Sequence, residues 1–366
     1  MRESGSAAMK HVRDYCAQVF ERRDERYRQR LSGWRKLVFD GLRVARPILR
    51  PLRRVKEAWK LTRKHGAKVG EAEEISKWKQ FMQQVILSLR LGVRPEDYYQ
   101  YRMYRKRRRS KAGKFISHSE MDALLNPLVE DVTSKDAKML RDKVRFWRYC
   151  KYNSFSAISI VAVVDREGVL LKGGKEGAGI PNCDLISKPA DWGQGFGIRL
   201  WRYDEQKGYR DTEGDWIDAA GVIEQLKAQS NEIGRRIVLQ PRLYNHQRLE
   251  QLAGKALASA RLITVREPEG EAEYLIGVMG LPVGSSITSN LSAGGLAAPI
   301  DEESGKLGAA RQKDLSRVMT SYVEHPVTER KIKGFQLPYW EEAVELVKAV
   351  HNSLSEMPFV GWDVAF

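Results

Sequence analysis

Apolar positions along this chain recur with two different periods, and the change of period divides it. From Met9 to about Lys64 they follow three- and four-residue spacing. Val12, Tyr15, Cys16, Val19 and Phe20 make a stripe on one face of a helix. Pro47 and Pro51 each lack a backbone donor, so they predict a break or a new start within that stretch. A second stripe through Ile75, Trp78, Phe81, Met82, Val85, Ile86 and Leu89 predicts another helix. The run Arg105-Lys106-Arg107-Arg108-Arg109, followed by Ser110 and Gly113, reads as a solvated boundary.

Beyond about Asp136 strands enter. A helix over Leu140–Cys150 precedes the β-branched run Ile158–Val164, which ends in the turn Asp165–Gly168. A further strand leads into the glycine-rich stretch 193–197. Arg236–Gln240 predicts a strand, Gln247–Leu257 a helix, and Arg261–Val265 with Tyr274–Met279 two adjacent strands. Trp340–Leu354 predicts a closing helix and Val360–Phe366 one more strand. Helices and strands alternating in this way predict a mixed α/β, or α+β, domain.

At about 150 residues per domain, 366 residues allow two or three domains. The longest apolar run, Ile158–Val164, is interrupted by Ser159 and falls far short of the roughly 18 residues that span a bilayer. The first 30 residues lack an apolar core, so no signal peptide is expected. Cys16, Cys150 and Cys183 are odd in number and far apart, which argues against a disulfide framework or a C-x-x-C metal site. The expected location is cytoplasmic.

Charge sharpens the division. Of 63 bases and 47 acids, residues 1–110 hold 30 and 12, so the remaining 256 residues hold 33 and 35. The whole excess of +16 therefore sits in the first third. Tyr15, Tyr27, Trp34, Trp59, Trp78 and the Tyr98–Tyr104 cluster are interleaved with these bases. Three readings stay open: a nucleic-acid surface, which no recognised motif backs, an anionic membrane surface at the inner face, and a solvated helical set packed on the rest.

Candidate chemistry begins at Ile186-Ser187-Lys188-Pro189, followed by glycines at 193, 195 and 197. A lysine ending a strand, then a glycine-rich loop, is what a phosphate needs: a point charge and backbone N–H groups that approach closely. By themselves three glycines suit a plain hairpin turn better, and the spacing is not that of a Walker loop. The six histidines (11, 65, 118, 246, 325, 351) show no zinc spacing, and no Gly-x-Ser-x-Gly elbow is present. His246 reads as solvent-facing rather than as a ribose contact, and His325 before Pro326 reads equally as structural.

Taken in order, the motifs resemble the ATP-grasp superfamily, closest to its sugar-transfer-associated branch, over roughly residues 110–366. Asp142-Lys143 resembles the pair that opens the ATP-binding unit, Lys188-Pro189 the second nucleotide lysine, and Gly193, Gly195 and Gly197 the loop that closes over phosphates. Leu239, Gln240 and Leu243 lie in the match to the hinge strand that holds the adenine. Arg261 falls where the branch carries Asn-Thr-Ile-Arg, here Ala258-Ser259-Ala260-Arg261, and Asn290–Gly295 matches its Asn…Gly-Gly stretch. His325-Pro326, Gly334 and Pro338-Tyr339-Trp340 also follow the branch. Asp363 in Gly361-Trp362-Asp363 resembles its first Mg²⁺ carboxylate. In the family a Glu-x-Asn hairpin follows that aspartate, and here Phe366 stands three residues after it, so a domain without that hairpin is expected.

The resemblance implies an ATP-grasp fold of two α/β subdomains sandwiching the nucleotide, about 136–240 and 241–366 within 111–366, after a basic helical region, 1–110. It implies ATP and Mg²⁺ as cofactors, and an acyl phosphate made from a small carboxylate and displaced by an amine or a sugar-linked acceptor, in bacterial cell-surface polysaccharide or peptide metabolism. Arg261 is then the catalytic residue, Lys143, Lys188, the glycines and the hinge bind ATP, and Asp363 holds metal. The other reading is a catalytically degenerate member that serves as a nucleotide-binding or membrane-surface interaction module.

Overall fold

The structure, a computed structural model, describes residues 34–115, 135–172, 179–193, 196–211, 214–267, 270–284, 294–312, 320–354 and 357–366. The stripe Val12–Phe20 and residues Gly195 and Asn290–Ala293 lie outside the described residues. The described residues divide into two compact units, one within 34–115 and one built from 135–312 and 321–366.

The first unit is helical: α1 (Trp34–Glu73), α2 (Lys77–Leu91), α3 (Pro95–Gln100) and α4 (Lys106–Arg109). Ser76 Oγ accepts from Lys79 N at 3.3 Å to start α2, and Gly92, at φ 67°, ends it in the left-handed conformation that glycine adopts freely. Tyr98, Tyr99, Met103 and Tyr104 form its buried centre with Val69 and Leu87. Two expectations are corrected here. The helix α1 runs unbroken through Pro47 and Pro51. The two missing donors stand four residues apart, on one side of the helix, and Pro51 is exposed. The 105–109 run is not simply a solvated boundary. Arg109 Nη1 donates to Tyr104 O (2.9 Å) and Gln83 Oε1 (3.0 Å), and Arg105 pairs with Glu73.

The second unit opens with α5 (Lys135–Arg141) and α6 (Lys143–Tyr152). Asp142 separates them: its Oδ1 accepts from Val144 N (2.9 Å) and Arg145 N (3.1 Å), capping α6 and splitting the single helix expected over 140–150. A six-stranded antiparallel sheet follows, in the order β2-β1-β6-β3-β4-β5. Its strands are β1 (Ala162–Val164), β2 (Val169–Lys172), β3 (Leu185–Pro189), β4 (Arg199–Asp204), β5 (Gly208–Arg210) and β6 (Ile237–Pro241), with α7 (Ala219–Ile233) between the last two. The expected strand 158–164 is regular only over 162–164. Asp165 Oδ1 closes the β1–β2 turn by accepting from Glu167 N and Gly168 N.

After α8 (Gln247–Ala253) a second sheet forms, ordered β10-β9-β8-β7-β11. It comprises β7 (Ser259–Val265), β8 (Glu273–Leu281), β9 (Leu296–Pro299), β10 (Arg311–Gln312) and β11 (Phe359–Ala365), with α9 (Trp340–Asn352) packed on it. The expected β7–β8 adjacency holds, in antiparallel register from Ser259↔Gly280 to Val265↔Glu273. Trp201, Leu226, Ile237 and Leu239 fill the core of the first sheet; Leu262, Met279, Leu281, Val347 and Trp362 fill that of the second.

Candidate functional site

Alternation along β3 sets up the site. Leu185, Ser187 and Pro189 are buried on one face, where Ser187 Oγ accepts from Trp201 Nε1 at 3.0 Å, while Ile186 and Lys188 turn to the other. On that second face lies a cavity of about 380 Å³. Ile158, Ile186, Ile198 and Leu200 make its apolar wall, Gln240 and Leu243 its edge, and Lys255–Leu257 with Gly284 close it from the second half of the unit. Its polarity is lopsided, with Lys188, Arg202, Arg242 and Lys255 on the lining and no carboxylate. Arg242 is already paired with Asp184 at 3.0 Å.

Lys188 is half-buried, and among the described residues its Nζ has no hydrogen-bond acceptor. Burial pushes its pKa down to about 8, the Lys143 charge adds to this, and the Asp363 carboxylate opposes it. A desolvated ammonium with no hydrogen-bond acceptor among the described residues, beside an apolar slot, fits the phosphate and base of a nucleotide.

The structure places the other predicted residues in three ways. Gln240 and Leu243 line the cavity with Lys188. Leu239, one position away, points into the core, and its carbonyl accepts from Val161 N at 2.8 Å. Lys143 Nζ donates to three carbonyls, Trp192 O (2.6 Å), Pro189 O (2.9 Å) and Ala190 O (3.4 Å), so it ties down the segment that follows β3. Its own pKa is lowered by burial, against the pull of Asp191 and Asp142. Asp142 is held by Arg236 Nη2 at 2.6 Å. Gly193 is exposed, and Gly197, at φ 69°, needs its missing side chain: a Cβ there would stand 3.1 Å from Pro189 Cγ.

Arg261 and Asp363 stand off the cavity lining, directly opposed on β7 and β11 and both exposed. Gly361 leaves room for the arginine, since a Cβ there would lie 3.2 Å from Arg261 Nη1. Among the described residues no three carboxylate, histidine or cysteine side chains converge as a metal site. Mg²⁺ bound with phosphates needs only one or two protein carboxylates, and Asp363 is the carboxylate whose charge reaches Lys188.

His246 and His325 serve the fold. His246 caps α8, its Nδ1 accepting from Arg248 N at 3.3 Å, and His325 bonds Pro282 O at 2.8 Å. The cavity residues that motif reading missed are Leu200, Arg202, Lys255, Ala256, Leu257 and Gly284. Only Lys255 carries a local signal, as a base in a short link after a helix, and that signal is too common to single out.

Comparison with known proteins adds one match. The model of a family described as sugar-transfer associated ATP-grasp covers residues 131–366, more than half of the chain. No curated protein matches it.

Proposed function

The chain belongs to the sugar-transfer associated ATP-grasp family, and from that premise we propose that it is an ATP- and Mg²⁺-dependent ligase joining a small carboxylic acid to an amine or a sugar-linked acceptor. The membership itself carries ATP binding and ligase-type chemistry. The acid, the acceptor, a role in cell-surface polysaccharide or peptide metabolism, and a peripheral position on the inner membrane surface are our reading.

One observation carries it: the half-buried ammonium of Lys188 faces an apolar slot and has no protein acceptor among the described residues. In the proposed cycle a substrate carboxylate oxygen attacks the γ-phosphorus of ATP and ADP leaves. The amine nitrogen then attacks the acyl carbon, phosphate leaves, and the amine gives up its proton. Ile186, Ile198 and Leu200 flank the base, with Gln240, on the strand that Leu239 anchors, and Leu243, just past its end, at the edge. Lys188 faces the phosphates. Lys143 fixes the start of the segment Gly193–Gly197, which shields the reacting centre from water. Arg261 offers a planar fork to the acid or to the acyl phosphate. Asp363 is the residue for Mg²⁺, which when bound neutralises phosphate charge.

Calorimetry with ATP, with and without Mg²⁺, tests the site. Micromolar binding that strengthens with Mg²⁺ and weakens at least about a hundredfold in Lys188→Ala is expected, the loss of a charge-assisted contact in a desolvated site. Nucleotide binding without turnover of any carboxylate would favour the degenerate, nucleotide-binding module instead.

A further inference from the structure

The α1–α2 hairpin buries several polar side chains and exposes several large apolar ones. Between the helices the buried side chains are largely polar. Gln84 Nε2 donates to Thr62 Oγ1 at 2.7 Å, Gln80 Nε2 to Gly66 O at 2.9 Å, and Tyr99 Oη to Gln80 Oε1 at 3.1 Å. An apolar row faces outward: Leu52, Val55 and Trp59 on α1, at spacings of three and four, and Trp78, Met82, Ile86 and Leu89 on α2. Leu52, Trp78 and Leu89 are each more than 60% exposed, at 65%, 64% and 62%. Phe81 joins the two rows, its ring 5.6 Å from Trp59 and 5.5 Å from Trp78. A contiguous exposed apolar stripe rimmed by charge marks an interaction surface.

The same two stretches, 52–64 and 77–90, hold nine bases and a single acid, Glu57. Arg53, Lys56, Lys60, Lys77, Lys79 and Arg90 are all exposed beside the stripe. A second copy of the chain would set these bases against their like, and an uncharged apolar partner would leave them unused.

We infer that the outer α1–α2 face lies in the plane of an anionic bilayer, Trp59, Trp78, Met82, Ile86 and Leu89 entering the acyl boundary and the flanking bases meeting lipid phosphates. An amphipathic helix pair with a basic rim and interfacial tryptophans binds in this way, without spanning. No described helix is long and apolar enough to cross. The inference rests on the membrane clause of the proposed function and stands apart from its ligase clause.

The test is co-sedimentation of the full chain with vesicles of phosphatidylcholine alone and of phosphatidylcholine mixed with phosphatidylglycerol. Tryptophan quenching by brominated lipid and sedimentation velocity without lipid accompany it. The expected result is binding to the mixed vesicles only and quenching by bromine in the acyl chains. At least about a tenfold loss of partition is expected in Trp78→Glu/Leu89→Glu and near-full retention in Trp78→Phe. Unquenched tryptophans, or undiminished binding by the glutamate variant, would mean adsorption by charge alone and would overturn it. So would absence of binding, or a dimer in solution that the glutamate variant dissolves. Quenching is read on the unaltered chain, so misfolding of a variant leaves a decision available. ATP calorimetry on the same samples separates this outcome from that of the ligase reading.

Discussion

Arg261 and Asp363 are joined by two hydrogen bonds, Nε to Oδ1 at 2.7 Å and Nη2 to Oδ2 at 3.0 Å, across the β7–β11 ladder. The fork of the guanidinium meets both carboxylate oxygens, so in this state the proposed metal carboxylate and the proposed catalytic arginine neutralise each other. Reaching substrate or metal requires them to separate, and exposure of both side chains makes that separation cheap.

Replacing Arg261 by alanine therefore changes folding stability by no more than about 1 kcal/mol, as for other exposed ion pairs. Ligase turnover falls by at least about a hundredfold if the arginine stabilises the acyl phosphate. Denaturant titration and a phosphate-release assay, run together, check this. A large stability loss with unchanged turnover would make the pair merely structural.

Lys188 predicts two opposite responses to alkali. Its pKa, near 8 in the folded chain against 10.5 for a free lysine, means that it loses its charge as pH rises through about 8. Affinity for ATP should weaken over that range, and Lys188→Ala should lack this step. Between about 8 and 10.5 the unfolded chain binds more protons than the folded one, so this lysine raises stability as pH rises. Calorimetry and urea titrations across pH 7 to 10, roughly the window set by those values, read both.

Behind Asp363 a buried relay fixes β11. Trp362 Nε1 donates to Thr264 Oγ1 at 2.8 Å, Thr264 Oγ1 lies 2.7 Å from His351 Nδ1, and His351 Nε2 lies 2.8 Å from Met357 O. Thr264→Val keeps the shape but leaves the indole N–H without its acceptor, which costs about 1–3 kcal/mol. Chemical denaturation measures it. Burial also holds the His351 pKa below 6.5, so its contribution to stability falls as pH drops below 6.5.

At Gly197 both backbone and space oppose a side chain. Alanine there would take φ 69° and crowd Pro189, so Gly197→Ala should destabilise the chain by about 1–2 kcal/mol. It should also weaken ATP binding. Unchanged binding would place this end of the glycine segment away from the nucleotide.

The sequence by itself determined what depends on near neighbours. The strands Arg236–Gln240, Arg261–Val265 and Tyr274–Met279 and the helix Trp340–Leu354 are legible because local burial repeats with the pleat or the turn, and the structure moves their ends by a few residues only. Lys188 was legible for the same reason, as a charge ending a strand before glycines. Only the tertiary structure decided the rest. No local rule carries α1 through Pro47 and Pro51, turns Leu239 inward beside the cavity-facing Gln240, or delivers Lys143 to carbonyls 46 to 49 positions away. The Arg261–Asp363 pair joins residues 102 apart, and the cavity needs Lys255–Leu257 and Gly284 from a second sheet region. Periodicity shows which side of an element is apolar. Whether that side meets a core, a neighbour or the outside is fixed by packing between distant segments, and in α1 and α2 packing buried Thr62, Gln80 and Gln84 beside Val69 and Leu87 while leaving Trp59 and Trp78 outside.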